Sequence, residues 1–229
     1  ARNPERSVEI GGDNQVFAPI YGAPFVRDMQ GGRRYGDIAT FRDLVRLTYM
    51  LPSLHHGGFV TCEPCDVPVN KRHLDMLLAH MTLSDKPHLG AITEMSRAED
   101  SVAMAEILFG KDVMDANCVI MGNVNTNSPL LVDKVVTEAA RVYAGRGQGM
   151  IVVPFILSGA MGPVSTAASV TQAMAEAMMV CAYIQLLRPG APFVLGNFLS
   201  SMSLKSGAPT FGMPEPVMSN YAIAQLARR

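Results

Sequence analysis

Four clusters in this sequence carry side chains able to do chemistry. Cys62-x-x-Cys65 stands just after His55 and His56. That grouping serves zinc binding or thiol redox chemistry when a second ligand pair or a thioredoxin-type βαβ context accompanies it. Neither is evident, and Glu63-Pro64 and Asp66 also suit an ordinary strand-end loop, so the expectation is packing and no bound metal. Asn123, Asn125 and Asn127 stand at alternate positions, so on a strand they share one face. Each also suits a loop cap or turn. Ser158-Gly159-Ala160-Met161-Gly162-Pro163 precedes a helical stretch, where glycines can cradle a phosphate. The spacing matches neither the P-loop nor the dinucleotide fingerprint, and a close backbone approach is the other reading. His73 and His80 lie seven apart on one predicted helix and read as surface positions; Cys118 and Cys181 read as core residues.

Composition narrows the setting. Charged residues are 17% and hydrophobic ones 48% of 229 residues, which excludes a disordered chain. Nineteen basic against twenty acidic side chains leave a net charge of −1, so no basic stripe for nucleic acid is expected. The apolar run Ala173–Leu187 contains Glu176 and Gln185 and is shorter than the ~20 residues a bilayer needs, so no membrane span is expected. Four cysteines without a signal peptide suggest a cytoplasmic protein. The chain begins at Ala1 rather than Met and closes at Arg229 within a predicted helix.

The elements that must position these groups follow from periodicity. Val8–Ile10 and Val16–Ile20 flank Gly11-Gly12-Asp13-Asn14 and predict a β-hairpin, followed by a loop over 30–36. Thr40 is the expected cap of a helix bearing Phe41, Leu44, Val45 and Thr48, stopped by Pro52. Strands are then expected at 58–62, 88–93, 118–122, 150–157 and 193–199. Each precedes a helix: one from Asn70, one opened by the Ser96/Glu99 capping box, one from Ser128-Pro129 to Tyr143, one over Thr171–Leu187 and one from Val217. Continuously apolar strands alternating with helices predict a parallel α/β sheet.

The monotonous βα order favours a (β/α)8 TIM-type barrel over a doubly wound sheet. The expectation is an incomplete barrel of about five units over 53–229, preceded by an N-terminal hairpin and helix extension over 1–52. Three units would lie outside the chain, and such a piece is expected to be unstable alone. Barrel active sites lie at the C-terminal strand ends, which here bear Thr61, Glu63, Thr93, Glu94, the three asparagines, Ser158, Asn197, Ser200 and Ser201. That mouth offers amides and hydroxyls but no nucleophile–base pair. The candidate substrate-binding residues are Glu94, Asn123, Asn125, Ser158 and Asn197.

Gly159-Ala-Met-Gly-Pro-Val164, Gln185-Leu-Leu-Arg-Pro-Gly-Ala-Pro192, Leu204-Lys-Ser-Gly-Ala-Pro209 and Gly212-Met-Pro-Glu215 resemble the trimethylamine methyltransferase (MttB-like) superfamily, as do Gly22–Phe25 and Asn123–Leu130. Met161 departs from the smaller polar residue expected there. The resemblance implies a barrel enzyme that moves a methyl group from a methylated amine, trimethylamine or a quaternary amine such as glycine betaine, to the Co(I) corrinoid (cobalamin) of a separate protein. It implies no cofactor bound by this segment, a homo-oligomeric longer protein, and a pyrrolysine position, in members that have it, after Arg229. Phe17, Tyr21, Phe25, Phe155, Phe198 and Phe211 could offer cation–π faces or serve as core, and Glu63 or Glu94 could balance charge. Two other readings are a barrel lyase or aldolase, for which Lys205 is the candidate lysine, and a non-catalytic fragment.

Overall fold

Asp28 makes a tight turn, its carboxylate accepting the N–H groups of Gln30 and Gly31 while Gly32 takes a φ of +67°. The turn joins β1 (Phe25–Asp28) to β2 (Gly32–Tyr35), antiparallel, with Phe25 opposite Tyr35 and Arg27 opposite Arg33. β2 thus occupies the stretch over 30–36 expected to be a loop. Residues 8–20 form no strand, because their backbone bonds go elsewhere: the Phe17 carbonyl accepts the N–H groups of both His55 and His56.

The computed structural model describes residues 2–229, which fall into one unit ending at Met121 and another over Gly122–Arg229. In the first, α1 (Ile38–Met50) is capped by Asp37, which accepts the Thr40 N–H at 2.7 Å; Thr40, the expected cap, is inside the helix. Phe41, Val45 and Thr48 are its buried stripe, as the spacing predicted. Lys86, itself buried, closes the other end by donating to the Thr48 and Leu51 carbonyls at 2.7 and 2.8 Å. Against α1 packs α2 (Arg72–Leu83). Then follow β3 (Leu89–Gly90), α3 (Met95–Phe109) and α4 (Lys111–Ala116). Ser96 is inside α3, whose cap position is Glu94, so the predicted capping box does not form. Residues 58–62, expected to be a strand, are irregular and bent, the Thr61 N–H donating back to the Phe59 carbonyl at 3.2 Å; Gly58, at φ +67°, packs its Cα face on Pro19.

His73 and His80 are buried, against the surface placement expected of them. His80 stacks on His88 with ring centroids 5.4 Å apart and meets Phe41 edge-on. Its Nε2 donates to the Phe59 carbonyl at 2.8 Å, while His56 Nδ1 accepts the Gly58 N–H at 2.9 Å. On the inner face of α2 the two imidazoles stand beside Met76, Leu77 and Met81, and an imidazole gives no apolar-stripe signal at its own position.

The second unit is built on β5 (Gly149–Ser158), flanked on one side by β4 (Met121–Thr126) and on the other by β6 (Phe193–Leu195) and β7 (Phe198–Ser201). β6 and β7 both run parallel to β5 and keep one register, Met150 with Phe193 and Phe155 with Phe198. They are a single strand interrupted opposite Pro154, which has no N–H for the ladder. Gly196 is required there, since a Cβ would lie 2.6 Å from Val153 Cγ2. α5 (Lys134–Gly145), α6 (Thr166–Leu187) and α7 (Pro214–Ala227) complete the unit. α5 starts from an Asp133 cap rather than at Ser128-Pro129, and α6 starts five residues before Thr171 because Ser165 caps it. At 22 residues α6 is long and apolar enough, by length and composition, to cross a membrane. Here it lies on β5 between α5 and α7. Ile156, Val170, Ala173, Leu199 and Ile223 form the core beneath it. The chain is thus α/β with parallel strand pairs, as expected.

Burial, reinforced by the neighbouring His88, pushes His56 down to about 4 and His80 to about 3. Both stay neutral in the folded protein while the unfolded chain takes up protons near pH 6.5. Stability should therefore be complete above pH 7 and fall as pH drops from 6.5 toward 4, by up to about 1.4 kcal/mol per pH unit for each histidine. Denaturant midpoints measured from pH 7.5 to 4.5 check this. The slope should flatten in a His56→Gln/His80→Gln variant.

Candidate functional site

Strand parity in the second unit decides which side chains can meet a ligand. Gly122, Val124 and Thr126 of β4 face the helices, and a Cβ on Gly122 would lie 2.9 Å from both Tyr143 and Met150. Asn123 and Asn125 therefore point to the other face, together with Val153, Phe155, Leu157 and Phe198. Asn125 is exposed; the Asn123 amide oxygen is shielded and has no hydrogen-bond partner among the described residues. On this face Phe155 and Phe198 lie 5.1 Å apart, and Phe198 stacks on Phe211 at 5.4 Å with planes 6° apart. Phe211 is carried by the loop after β7, pinned where Ser201 and Thr210 hydroxyls meet at 2.6 Å. Among the described residues no Lys or Arg covers these three rings.

Ser158 and Asn197 belong to the opposite, helix-side parity. The Ser158 hydroxyl donates to Ser169 at 2.9 Å, and Asn197 donates to Asn220 of α7 at 2.6 Å. Glu94, in the first unit, is exposed and holds Arg97 at 3.0 Å. Of the five candidates, the structure brings Asn123 and Asn125 together and commits Ser158 and Asn197 to packing contacts with helices. The other aromatics do not join the row: Phe17 stacks on His55, and Phe25 lies under Arg33 beside Tyr35. Tyr21 lines a first-unit cleft with Glu63, Arg72 and Arg97, where Arg72 binds Glu63 at 2.7 Å.

The cysteines separate by burial. Cys62 is fully buried, and burial, then the Asp37 charge, pushes its thiol up to about 11, the wrong direction for a thiolate ligand or nucleophile. Cys65 is exposed, as is Cys118, and Cys181 is half-buried; the last two are not the core residues expected. Lys205 lies in an exposed loop, without the apolar surroundings that make a lysine nucleophilic.

One residue that sequence reasoning passed over organises the end of β4. Glu176 of α6 is fully buried. Its carboxylate accepts from Thr126 Oγ1 at 2.5 Å, Ser128 Oγ at 2.6 Å, the Leu130 N–H at 2.9 Å and Gln172 Nε2 at 2.9 Å. Burial by itself raises its pKa, but the four donors outweigh it and hold the carboxyl below its usual value. The loop from Asn127 to Leu131, with Leu130 at φ +57°, is thereby fixed against α6. Only a lone acid within an apolar run signalled this in the sequence. Glu176→Gln replaces an acceptor oxygen with a donor facing donors, and should destabilise the protein by about 2–4 kcal/mol. Denaturant unfolding of this variant beside Gln172→Ala, expected to cost less, measures it.

Residues 1–229 match the family model described as trimethylamine methyltransferase (MTTB). The chain is also 38% identical, over all 229 of its residues, to a glycine betaine methyltransferase of Desulfitobacterium hafniense (strain Y51). It spans 48% of that relative's length. With the whole chain matched, it belongs to the trimethylamine methyltransferase family.

Proposed function

We propose that the protein carrying this chain transfers a methyl group from a methylated amine to the Co(I) corrinoid of a partner protein, and that this chain supplies about five units of a (β/α)8 barrel whose inner face is the Asn123–Phe155–Phe198 side of the second unit's sheet. The row of three phenyl rings is the observation that carries the reading. A quaternary ammonium has no N–H to donate, so its recognition falls to aromatic faces and shape. Among the described residues no Lys or Arg covers the rings, and they sit on a face that also presents amides.

The chemistry fits a site without a nucleophile–base pair. The acceptor's electron pair forms the new bond to the methyl carbon, and the C–N bonding pair stays on nitrogen, so a quaternary donor leaves as a neutral tertiary amine. No protein proton is required. The chain's task is to hold the cation and aim one methyl outward. The Asn125 and Asn123 amides would orient a donor's carboxylate, which favours a carboxylate-bearing quaternary amine. The name of the Desulfitobacterium relative supports the same substrate class. A cytoplasmic setting suits a reaction that needs a strongly reduced acceptor.

In the full-length protein with its corrinoid partner, Phe198→Leu should raise KM for a quaternary amine by roughly 5- to 30-fold, matching about 1–2 kcal/mol of lost cation–π attraction. Asn125→Ala should weaken transfer from glycine betaine by about 1–3 kcal/mol and leave trimethylamine unaffected. Asn197→Ala should lower stability through α7 and leave KM unchanged. Methyl-transfer kinetics across these donors separate the three.

A further inference from the structure

We propose that the Arg27–Arg33 face of the β1–β2 hairpin is a docking surface for an acidic patch on the corrinoid-carrying protein. The inference rests on the function proposed above.

The hairpin carries a charge pattern that works against its own folding. Arg27 and Arg33 are directly opposite each other across the two strands, and both are exposed. Like charges in that position repel. Neither has an ion pair among the described residues, whereas their neighbour Arg34 is neutralised by Asp28 at 3.5 Å and Asp37 at 3.1 Å. Arg33 is held upright by its guanidinium packing 3.9 Å over the Phe25 ring, which in turn packs on Tyr35 at 4.6 Å. The tip between the strands presents Met29, wholly exposed.

This pair, solvated and without an acidic partner among the described residues, is free to take its counter-charge from another molecule beside the bare Met29. Both arginines are exposed rather than enclosed, which suits a broad partner surface better than a small anion, and the net charge of −1 gives no wider basic field for nucleic acid. A protein partner with clustered Asp and Glu supplies the missing charge, and Met29 adds an adaptable apolar contact. The methyl acceptor must arrive and leave at each turnover. Rim electrostatics meet that need, since they speed encounter more than they slow release.

The test measures binding of the full-length protein to its corrinoid protein across salt concentrations, for wild type, Arg27→Glu/Arg33→Glu and Arg27→Gln/Arg33→Gln. The glutamate pair should bind about tenfold more weakly at low salt, chiefly through a slower on-rate, with the difference shrinking at high salt. KM for the methylated amine should not move. The glutamine pair should also weaken binding while its Tm stays equal or rises, because the repulsion is gone; a merely structural pair would lower Tm. Equal low-salt affinity of wild type and the glutamate pair would overturn the proposal, as would binding lost only alongside a fallen Tm. If wild type itself neither binds the corrinoid protein nor transfers methyl groups, the proposed function fails and this surface assignment with it. DNA binding lost in the variants, with partner binding intact, would also overturn it.

Discussion

A charge with no access to water dictates how the second unit is put together. Glu176 sits midway along α6 in surroundings of alanine, valine and methionine, where an unpartnered carboxylate would cost several kcal/mol. Three of its four donors, Thr126, Ser128 and Leu130, come from the end of β4 and the loop after it, the fourth being Gln172 one turn back on α6. That loop must therefore curl onto the helix rather than run out into solvent. The Thr126 hydroxyl is committed inward, and by strand alternation Asn125 is then committed outward. The geometry of the proposed substrate face is downstream of a buried acid that does not belong to that face.

The same alternation divides residues that look equivalent when written in a row. Ser158 and Asn123 both stand near C-terminal strand ends, yet one is bonded to α6 and the other is turned from the helices. A barrel-mouth argument from strand ends alone treats all such positions as convergent. Parity halves them. What survives on the helix-free side is two amides and a band of phenyl rings, a surface better at holding a cation by its faces than at activating a nucleophile.

Periodicity made the second unit legible: β5 lies within a residue of expectation, and α6 and α7 are present as long helices. The first unit was harder because its backbone is satisfied irregularly. The Phe17 carbonyl binding two histidine N–H groups, and Gly58 in a left-handed conformation, leave irregular segments that never become strands. The true hairpin was hidden because Arg27, Arg33 and Arg34 mask its alternation. His73 and His80 were read as surface because buried imidazoles depend on specific carbonyl and carboxylate partners, which no local pattern reveals. Five phenylalanines and Tyr21 were visible in the sequence as aromatic candidates, and only packing brings three of them together.

Pro154 gives the sheet a seam. At the level of that residue the central strand offers no hydrogen to its neighbour, and the strand beside it divides into two short ladders with Gly196-Asn197 between them. Released from pairing, Asn197 turns its side chain back on itself and across to α7, accepting the Leu199 N–H and donating to Asn220. An absent donor thus becomes a latch: the last helix is fastened at the spot where the sheet lets go, so cohesion lost within one layer is recovered between layers.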